Sequence, residues 1–452
     1  MLPMSLDRIA HLVGGTLYGR GDVQVSSIAL DSREVAAGGL FVALLGERVD
    51  GHEFAADAVA RGALGMLGQR PDPALPSIVV VDPVAALAEL GRFCRHQSNA
   101  WVIALTGSNG KTTVKELLDA ILGRVAPTLA TYGNRNNHLG VPQTLTRMRP
   151  EHDYAVIEMG ANHLGEIASL TELVEPQLGL VTNAAVAHLE GFGSLTGVAD
   201  AKGELFDGLG QGSTAVINAD DTYARLWRGK AAVAGRIITF GATAAADVRY
   251  RNQGEGLEIL LEGCWQSMPT PLLGSHNAAN ACAAAACAAA VGVPTTVIAA
   301  ALAVAQPPRG RLQPLPGLRC RLVIDDSYNA NPASLDAALA VLQETVGEKW
   351  LVLGDMAELG SQAEDWHWRA GEAARAAGVA RLCTLGDKAG AAAEAFGAGG
   401  RDFADIDSLL IACREELPVQ GVVLVKGSRS AGMERLVMAL TNESAQAAVE
   451  EG

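Results

Sequence analysis

The chain has 452 residues, 49% hydrophobic side chains and a formal net charge of −15. That length holds about two to four domains with real apolar cores, and the acidic balance excludes a typical nucleic-acid-binding surface. Seven cysteines (Cys94, Cys264, Cys282, Cys287, Cys320, Cys383, Cys413) include no Cys-x-x-Cys pair. Neither a zinc site nor a disulfide framework is indicated, and buried thiols in a reducing compartment are expected. No basic patch followed by an apolar core opens the chain, so no secretory signal is expected and a cytoplasmic location is.

Residues 1–98 mix short strands and helices. Pro71, Pro73 and Pro76 mark a loop before an apolar run at 77–81, and a helical pattern at 85–96 leads to a break at Ser98-Asn99. This first part is expected to be one domain, 1–98.

The second part, 99–313, opens on Trp101-Val-Ile-Ala-Leu-Thr-Gly-Ser-Asn-Gly-Lys-Thr-Thr113. A β-branched apolar run ends in a glycine turn, then a lysine, two threonines and a helical pattern at 114–122. Gly107 and Gly110 lack Cβ, so backbone N–H groups can approach phosphate oxygens. The positive end of the helix points at the same spot. Lys111 supplies a point charge for the outer phosphates, and the Thr112 hydroxyl is placed for Mg²⁺. Gly107, Ser108, Asn109, Gly110, Lys111, Thr112 and Thr113 are therefore the expected phosphate-binding loop. The general pattern puts its first glycine six residues before the lysine, where this chain has Leu105. The short form argues against an ordinary GTPase or motor ATPase.

Strands are predicted at 154–159, 178–182, 214–218 and 237–240, with helical patterns between most of them, which argues for a parallel sheet with crossover helices. Residues 247–273 read as antiparallel strands. The uncharged run 277–308 is long enough to raise a membrane span, but it is mostly alanine and is interrupted by Gly292 and Pro294. Two packed alanine-rich helices are expected, with no membrane insertion.

Pro307, Pro308, Pro314 and Pro316 flank Arg309 and Arg311 and mark the second boundary. The third part, 314–452, alternates strands at 321–324, 350–353, 382–385 and 422–425 with helices. A doubly wound, Rossmann-like domain is expected.

Chemistry-bearing residues fall at strand ends. Glu158 sits at the C-terminal end of its strand, where α/β sheets bind ligands; it is a candidate for Mg²⁺ or for a helix cap. His188 follows the neighbouring strand, as a metal ligand or a structural histidine. Lys202 lies in Asp200-Ala-Lys-Gly-Glu204, an ordinary setting for a solvated lysine. That segment loosely fits the Asp-x-x-Gly pattern of GTPases, but the chain has no guanine-recognition motif. Asp325, Asp326, Tyr328, Asn329 and Asn331 cluster on the loop after an apolar strand, a ligand-facing position or an Asn-Pro turn.

Together these segments resemble the Mur ligase family. The resemblance runs nearly end to end. It rests on Asp31-Ser-Arg33 with Asp50-Gly-His-Glu-Phe54, Thr106-Gly-Ser-Asn-Gly-Lys-Thr112, Asn134-Arg-Asn-Asn-His-Leu-Gly-Val-Pro142 and Glu158-Met-Gly-Ala-Asn162. Further along it rests on His276-Asn-Ala-Ala-Asn280, Asp326-Ser-Tyr-Asn-Ala-Asn-Pro332, Leu353-Gly-Asp-Met-Ala-Glu-Leu-Gly360 and Lys426-Gly-Ser-Arg429. The Asn-Ala-Asn-Pro and Gly-Asp-Met-Ala-Glu-Leu-Gly segments point to the dipeptide-adding members. The resemblance implies an ATP-dependent amide ligase that joins D-alanyl-D-alanine to UDP-N-acetylmuramoyl tripeptide through an acyl phosphate, in peptidoglycan synthesis. It is expected to work as a monomer with ATP and Mg²⁺.

Carried over by motif, Thr112 and Glu158 resemble ligands of one Mg²⁺. Glu158, His188 and Lys202 match positions around a second, and the matching lysine of the family is carbamylated. Asn280 matches a contact near adenine or phosphates, Arg309 a phosphate contact and Asp326 a ribose contact. Asn137 matches a contact to the UDP-sugar, and Ser32 and Arg33 lie in the domain that holds the uridine end. Tyr328, Asn329 and Asn331 are implied at the adenine or at the dipeptide. A related ligase adding one amino acid to a muramoyl peptide or to a folate, and a nucleotide switch, are the alternatives.

Overall fold

The structure, a computed structural model, describes residues 1–46, 49–186, 189–253 and 256–441. The strand Trp101–Thr106 is apolar on both faces because both faces are covered, as parallel strands require. Alternation assigns each face its own core. Ile103 and Leu105 pack with Val114, Leu117 and Leu118 of the Lys111–Leu122 helix and with the alanines of Ser275–Ala290. Val102 and Ala104 pack on the opposite side with Ile167, Leu170, Leu205 and Phe206. Small side chains let the Ser275–Ala290 helix lie close against the sheet and the Lys111–Leu122 helix, which is why an alanine run is buried rather than lipid-facing.

Among the described residues this central sheet has nine strands. In spatial order they are Cys264–Ser267, Gly256–Leu261, Val248–Gln253, Arg236–Gly241, Thr214–Asn218, Leu178–Val181, Trp101–Thr106, Tyr154–Glu158 and Thr128–Ala130. Neighbours run parallel from Thr128–Ala130 across to Val248–Gln253. The last two pairings are antiparallel. The antiparallel reading of 247–273 therefore holds for the hairpins, while Val248–Gln253 joins the preceding strand in parallel. The chain reverses its direction of sheet growth at Trp101–Thr106, and the crevice beyond that strand's C-terminal end is where such sheets bind ligands.

A sheet of six strands among the described residues follows, ordered Gln313–Leu315, Leu322–Asp326, Val422–Lys426, Lys349–Gly354, Arg381–Leu385 and Gly400–Phe403. Its first pairing is antiparallel and the rest are parallel. Two cores flank it: Ile324, Leu351, Leu353 and Leu424 face one, and Val323, Val352, Val423 and Val425 the other. The N-terminal unit holds a five-stranded sheet: Thr16–Tyr18, Ser77–Val79, Ala63–Gly68, Gly39–Val42 and Ser27–Ala29. The protein is thus α/β throughout, in three units. The short strands Thr128–Ala130, Gln313–Leu315 and Gly400–Phe403 were not anticipated; each is a sheet edge with little apolar periodicity to announce it.

Buried Arg95, at the end of the Pro83–His96 helix, donates to the Val174 and Glu175 carbonyls at 2.8 and 3.0 Å. Arg135 pairs with Glu34 at 2.5 Å. These contacts fasten the first unit to the second. Among the described residues no helix is long and apolar enough to cross a membrane.

Candidate active site

The phosphate loop folds as its glycines dictate. Gly107 has φ +146° and Gly110 φ +83°. A Cβ on Gly107 would sit 1.9 Å from Thr182 Oγ1, and one on Gly110 would sit 2.3 Å from Asn280 Oδ1. Only glycine fits at either point. The loop is braced from the adjacent strand end: the Ser108 and Asn109 N–H groups donate to the Asn183 carbonyl and side-chain oxygen, both at 3.0 Å. Lys111 Nζ folds back onto the Gly107 carbonyl at 2.5 Å and Ser108 O at 3.3 Å. Burial lowers its pKa to about 8, with nearby Glu158 opposing and Arg311 adding to the shift. An incoming polyphosphate would supply the anion that this ammonium lacks.

Glu158 ends its strand 1% exposed. Its Oε1 accepts from Asn136 Nδ2 at 2.8 Å and Thr112 Oγ1 at 3.4 Å. Its Oε2 is buried and has no hydrogen-bond partner among the described residues. A buried carboxylate oxygen so left is costly unless a cation meets it. Among the described residues no group of three or more His, Cys, Asp or Glu side chains is arranged to hold a metal unaided. That donor set fits magnesium bound through one carboxylate, a hydroxyl and substrate phosphates, rather than an all-protein cage.

Lys202 lies on the Leu195–Asp207 helix, 2% exposed. Its Nζ donates to the Ala161 carbonyl at 3.3 Å and sits 5.0 Å over the Phe192 ring. Burial, and then the like charge of Lys111, lower its pKa to about 7 against the pull of Glu166 and Glu204. Glu204 accepts from the Gly165 and Ala168 N–H groups at 2.7 and 3.0 Å, so the same helix clamps the loop after Glu158 at several points. His188 lies outside the described residues.

The C-terminal unit closes the other side of a cleft of about 1030 Å³. Ser108, Asn109, Gly110, Lys111, Thr113, Asn137, Glu158, Asn280, Asp326, Tyr328, Asn329 and Asn331 all line it. Asp326 Oδ2 accepts from Lys426 Nζ at 2.5 Å and its Oδ1 from the Leu312 N–H at 3.1 Å. Asn331 caps the Pro332–Glu344 helix in a reciprocal box with Ser334 and donates from Nδ2 to Asn109 Oδ1 at 2.9 Å. Asn280 is buried on its helix and donates to Asn277 Oδ1 at 3.0 Å. Asn137 uses its side-chain oxygen to receive the Leu139 and Gly140 N–H groups.

Arg309 is exposed and does not line the cleft, whereas Arg311 does. Arg311 Nη2 donates to Thr112 Oγ1 at 3.2 Å and its guanidinium lies 4.3 Å from the Tyr328 ring centre. Of the two arginines, Arg311 and not Arg309 therefore faces the phosphate loop. Ser32 is buried, donating to Asp57 at 3.0 Å, and Arg33 is an exposed partner of Asp31; neither reaches the cleft. Sequence reasoning also passed over Asn136, Asn183, His276 and Lys426, all cleft residues. His276 is held neutral, its pKa lowered to about 4 by burial and then by Lys426. Both residues stood inside segments that carried the family resemblance, which was the available signal.

Comparison with known proteins matches three family descriptions in chain order. They are "Mur ligase family, catalytic domain" over residues 24–92, "Mur ligase middle domain" over 105–288 and "Mur ligase, glutamate ligase domain" over 310–429. The chain is 45% identical to UDP-N-acetylmuramoyl-tripeptide–D-alanyl-D-alanine ligase of Escherichia coli, covering 97% of this chain and 99% of the relative. Among solved structures, MurF from Acinetobacter baumannii superposes with a TM-score of 0.88 at 35% identity, over 97% of this chain and 98% of that one. MurF ligase from Thermotoga maritima, solved in complex with ADP, gives 0.79 at 25% identity, over 91% and 96%. With the phosphate loop, the orphaned carboxylate and the facing C-terminal loop in one cleft, and with relatives aligned along almost its whole length, the chain belongs to the Mur ligase family.

Proposed function

We propose that this enzyme uses ATP to join D-alanyl-D-alanine to UDP-N-acetylmuramoyl tripeptide, a step of peptidoglycan synthesis. The observation that carries the reading is the cleft itself: the phosphate loop of the central unit faces the Asp326–Asn331 loop of the C-terminal unit, and Asn109 and Asn331 touch across it. A nucleotide and an acceptor brought in from different units meet there.

A carboxylate is a poor electrophile because it is an anion and would have to expel oxide. Transfer of the γ-phosphoryl of ATP to the tripeptide's terminal carboxylate makes an acyl phosphate and releases ADP. The dipeptide amine attacks its carbonyl carbon, the nitrogen gives up a proton to solvent, the tetrahedral intermediate expels phosphate, and an amide remains. Two anions must first approach each other, and Lys111, Arg311 and the N-terminus of the Lys111–Leu122 helix offset that repulsion. Glu158 and Thr112 would hold Mg²⁺, which adds charge screening at the phosphates when bound. An α-amine has a pKa of about 7.7–8.0, so a sizeable neutral fraction exists near neutrality without a strong base.

Glu158, His188 and Lys202 are assigned to a second Mg²⁺, with Lys202 carbamylated. A buried amine with a pKa of about 7 supplies the neutral nucleophile that adds to CO₂, releasing a proton. Gly107 to Thr113, Asn280, Arg311 and Asp326 are assigned to ATP, with Arg309 in a lesser role. Ser32, Arg33 and Asn137 are assigned to the UDP-sugar, and Tyr328, Asn329 and Asn331 to the adenine or dipeptide. Residues 1–98, 99–313 and 314–452 are assigned as UDP-sugar, ATP and ligase domains of a cytoplasmic monomer.

The test is product mass. With ATP, Mg²⁺ and UDP-N-acetylmuramoyl tripeptide, the enzyme is offered D-alanyl-D-alanine, D-alanine, L-lysine or L-glutamate. The expected product carries the dipeptide and forms with no single amino acid. Efficient addition of one amino acid would replace this reading with that of a neighbouring ligase.

A further inference from the structure

Parallel pairing of Leu322–Asp326 with Val422–Lys426 makes Asp326 and Lys426 register partners at the ends of adjacent strands. Lys426 is 1% exposed, and its Nζ is held by Asp326 Oδ2 at 2.5 Å and by the Asn329 carbonyl at 3.0 Å. The second oxygen of Asp326 accepts the Leu312 N–H at 3.1 Å. Leu312 has φ +50°, a left-handed conformation that a bulky side chain keeps only when its surroundings impose it.

The turn carrying Arg311 is pinned on its other side as well. Tyr328 N–H donates to the Gly310 carbonyl at 3.1 Å, and Gly310 has φ +72°, where a Cβ would sit a tight 3.0 Å from Tyr328 Cβ. Between these two anchors Arg311 lies against the Tyr328 ring and reaches Thr112 of the phosphate loop.

We infer that Lys426 is a positioning residue for the phosphate site: it fixes Asp326, Asp326 fixes Leu312 in its left-handed turn, and the turn aims Arg311 at Thr112. Lys426 also lines the cleft, so direct contact with a ligand is the competing role. Its ammonium is committed to Asp326 and Asn329, which favours the indirect one. This inference rests on the cleft being the nucleotide site.

The experiment is a double-mutant cycle read by calorimetric titration of the full chain with a non-hydrolysable ATP analogue and Mg²⁺. Arg311→Ala is expected to weaken binding by roughly 10-fold or more, as loss of a charge-assisted contact. Lys426→Met should weaken it by about 5-fold or more, and the double variant should be within about 2-fold of Arg311→Ala alone, because both act on one contact. Loss of folded protein would lower the stoichiometry and leave Kd unchanged, so a purely structural effect is separable. If Lys426→Met does not fold, Lys426→Gln takes its place in the cycle. Multiplying effects, or an unaltered Kd for the Lys426 variant, would overturn the inference. Failure of the parent chain to bind the analogue would instead overturn the nucleotide-site reading beneath it.

Discussion

Asn331 donates its side-chain amide to the side-chain oxygen of Asn109 at 2.9 Å, joining the first helix cap of the C-terminal unit to the phosphate loop of the central one. The same Asn331 side chain also accepts the Ser334 N–H at 2.8 Å. One residue therefore serves two purposes, and substitution separates them. Asn331→Ser keeps a good cap and cannot span to Asn109. It should hold stability within about 0.5 kcal/mol of the parent and lower ligation several-fold, whereas Asn331→Ala should also cost about 1 kcal/mol of stability. Thermal unfolding beside initial rates checks this; equal rates for the serine variant and the parent would show that the Asn109 contact is idle.

Two arginines two residues apart divide sharply. Arg311→Ala should lower kcat/KM for ATP by about 10- to 100-fold, in the range for loss of one charge-stabilising group. Arg309→Ala should leave it within about 3-fold, as expected for an exposed charge. Steady-state kinetics at varied ATP decides. The reverse order would return the phosphate role to Arg309.

Glu158 carries a buried oxygen with no hydrogen-bond partner among the described residues, so stability and function oppose each other there. Glu158→Gln should raise the melting temperature of the ligand-free protein and lower ligation by about 100-fold or more, with the loss unrelieved by added Mg²⁺. A destabilised, active variant would mean the carboxylate is structural.

Lys202 gives a pH signature. Its folded pKa is about 7, against 10.5 for an unburied lysine. Between those values the unfolded chain binds a proton that the folded chain does not, so stability rises with pH across that window. Below it both states are protonated and the burial penalty is fully present. In CO₂-free buffer, Lys202→Met should melt above the parent at pH 6, and the gap should narrow by pH 9. A gap that does not change with pH would contradict a depressed pKa.

The phosphate loop was legible because its strand, glycines and helix are contiguous, and local spacing alone prescribes their geometry. Glu158 and Asp326 were legible as polar residues ending apolar strands. Arg311 was not separable from Arg309, since which of them turns inward depends on the positive φ of Gly310 and Leu312 and on Asp326, which lies beyond the turn. The pairing of Lys426 was hidden for a similar reason, although its segment carried the resemblance: its partner is 100 residues away and is brought alongside only by strand register. Lys202 looked like a solvated charge because nothing in the neighbouring sequence reveals that its side chain runs beneath the loop after Glu158. Short edge strands such as Gln313–Leu315 lack the alternation that marks longer ones.

Phosphate release from ATP, followed with UDP-N-acetylmuramoyl tripeptide present and D-alanyl-D-alanine added or withheld, puts the proposed chemistry to the test. Sustained turnover should require both acceptors and yield one phosphate per amide formed. ATP hydrolysis that runs at the same rate without the dipeptide would contradict acyl transfer and leave a nucleotide switch in its place.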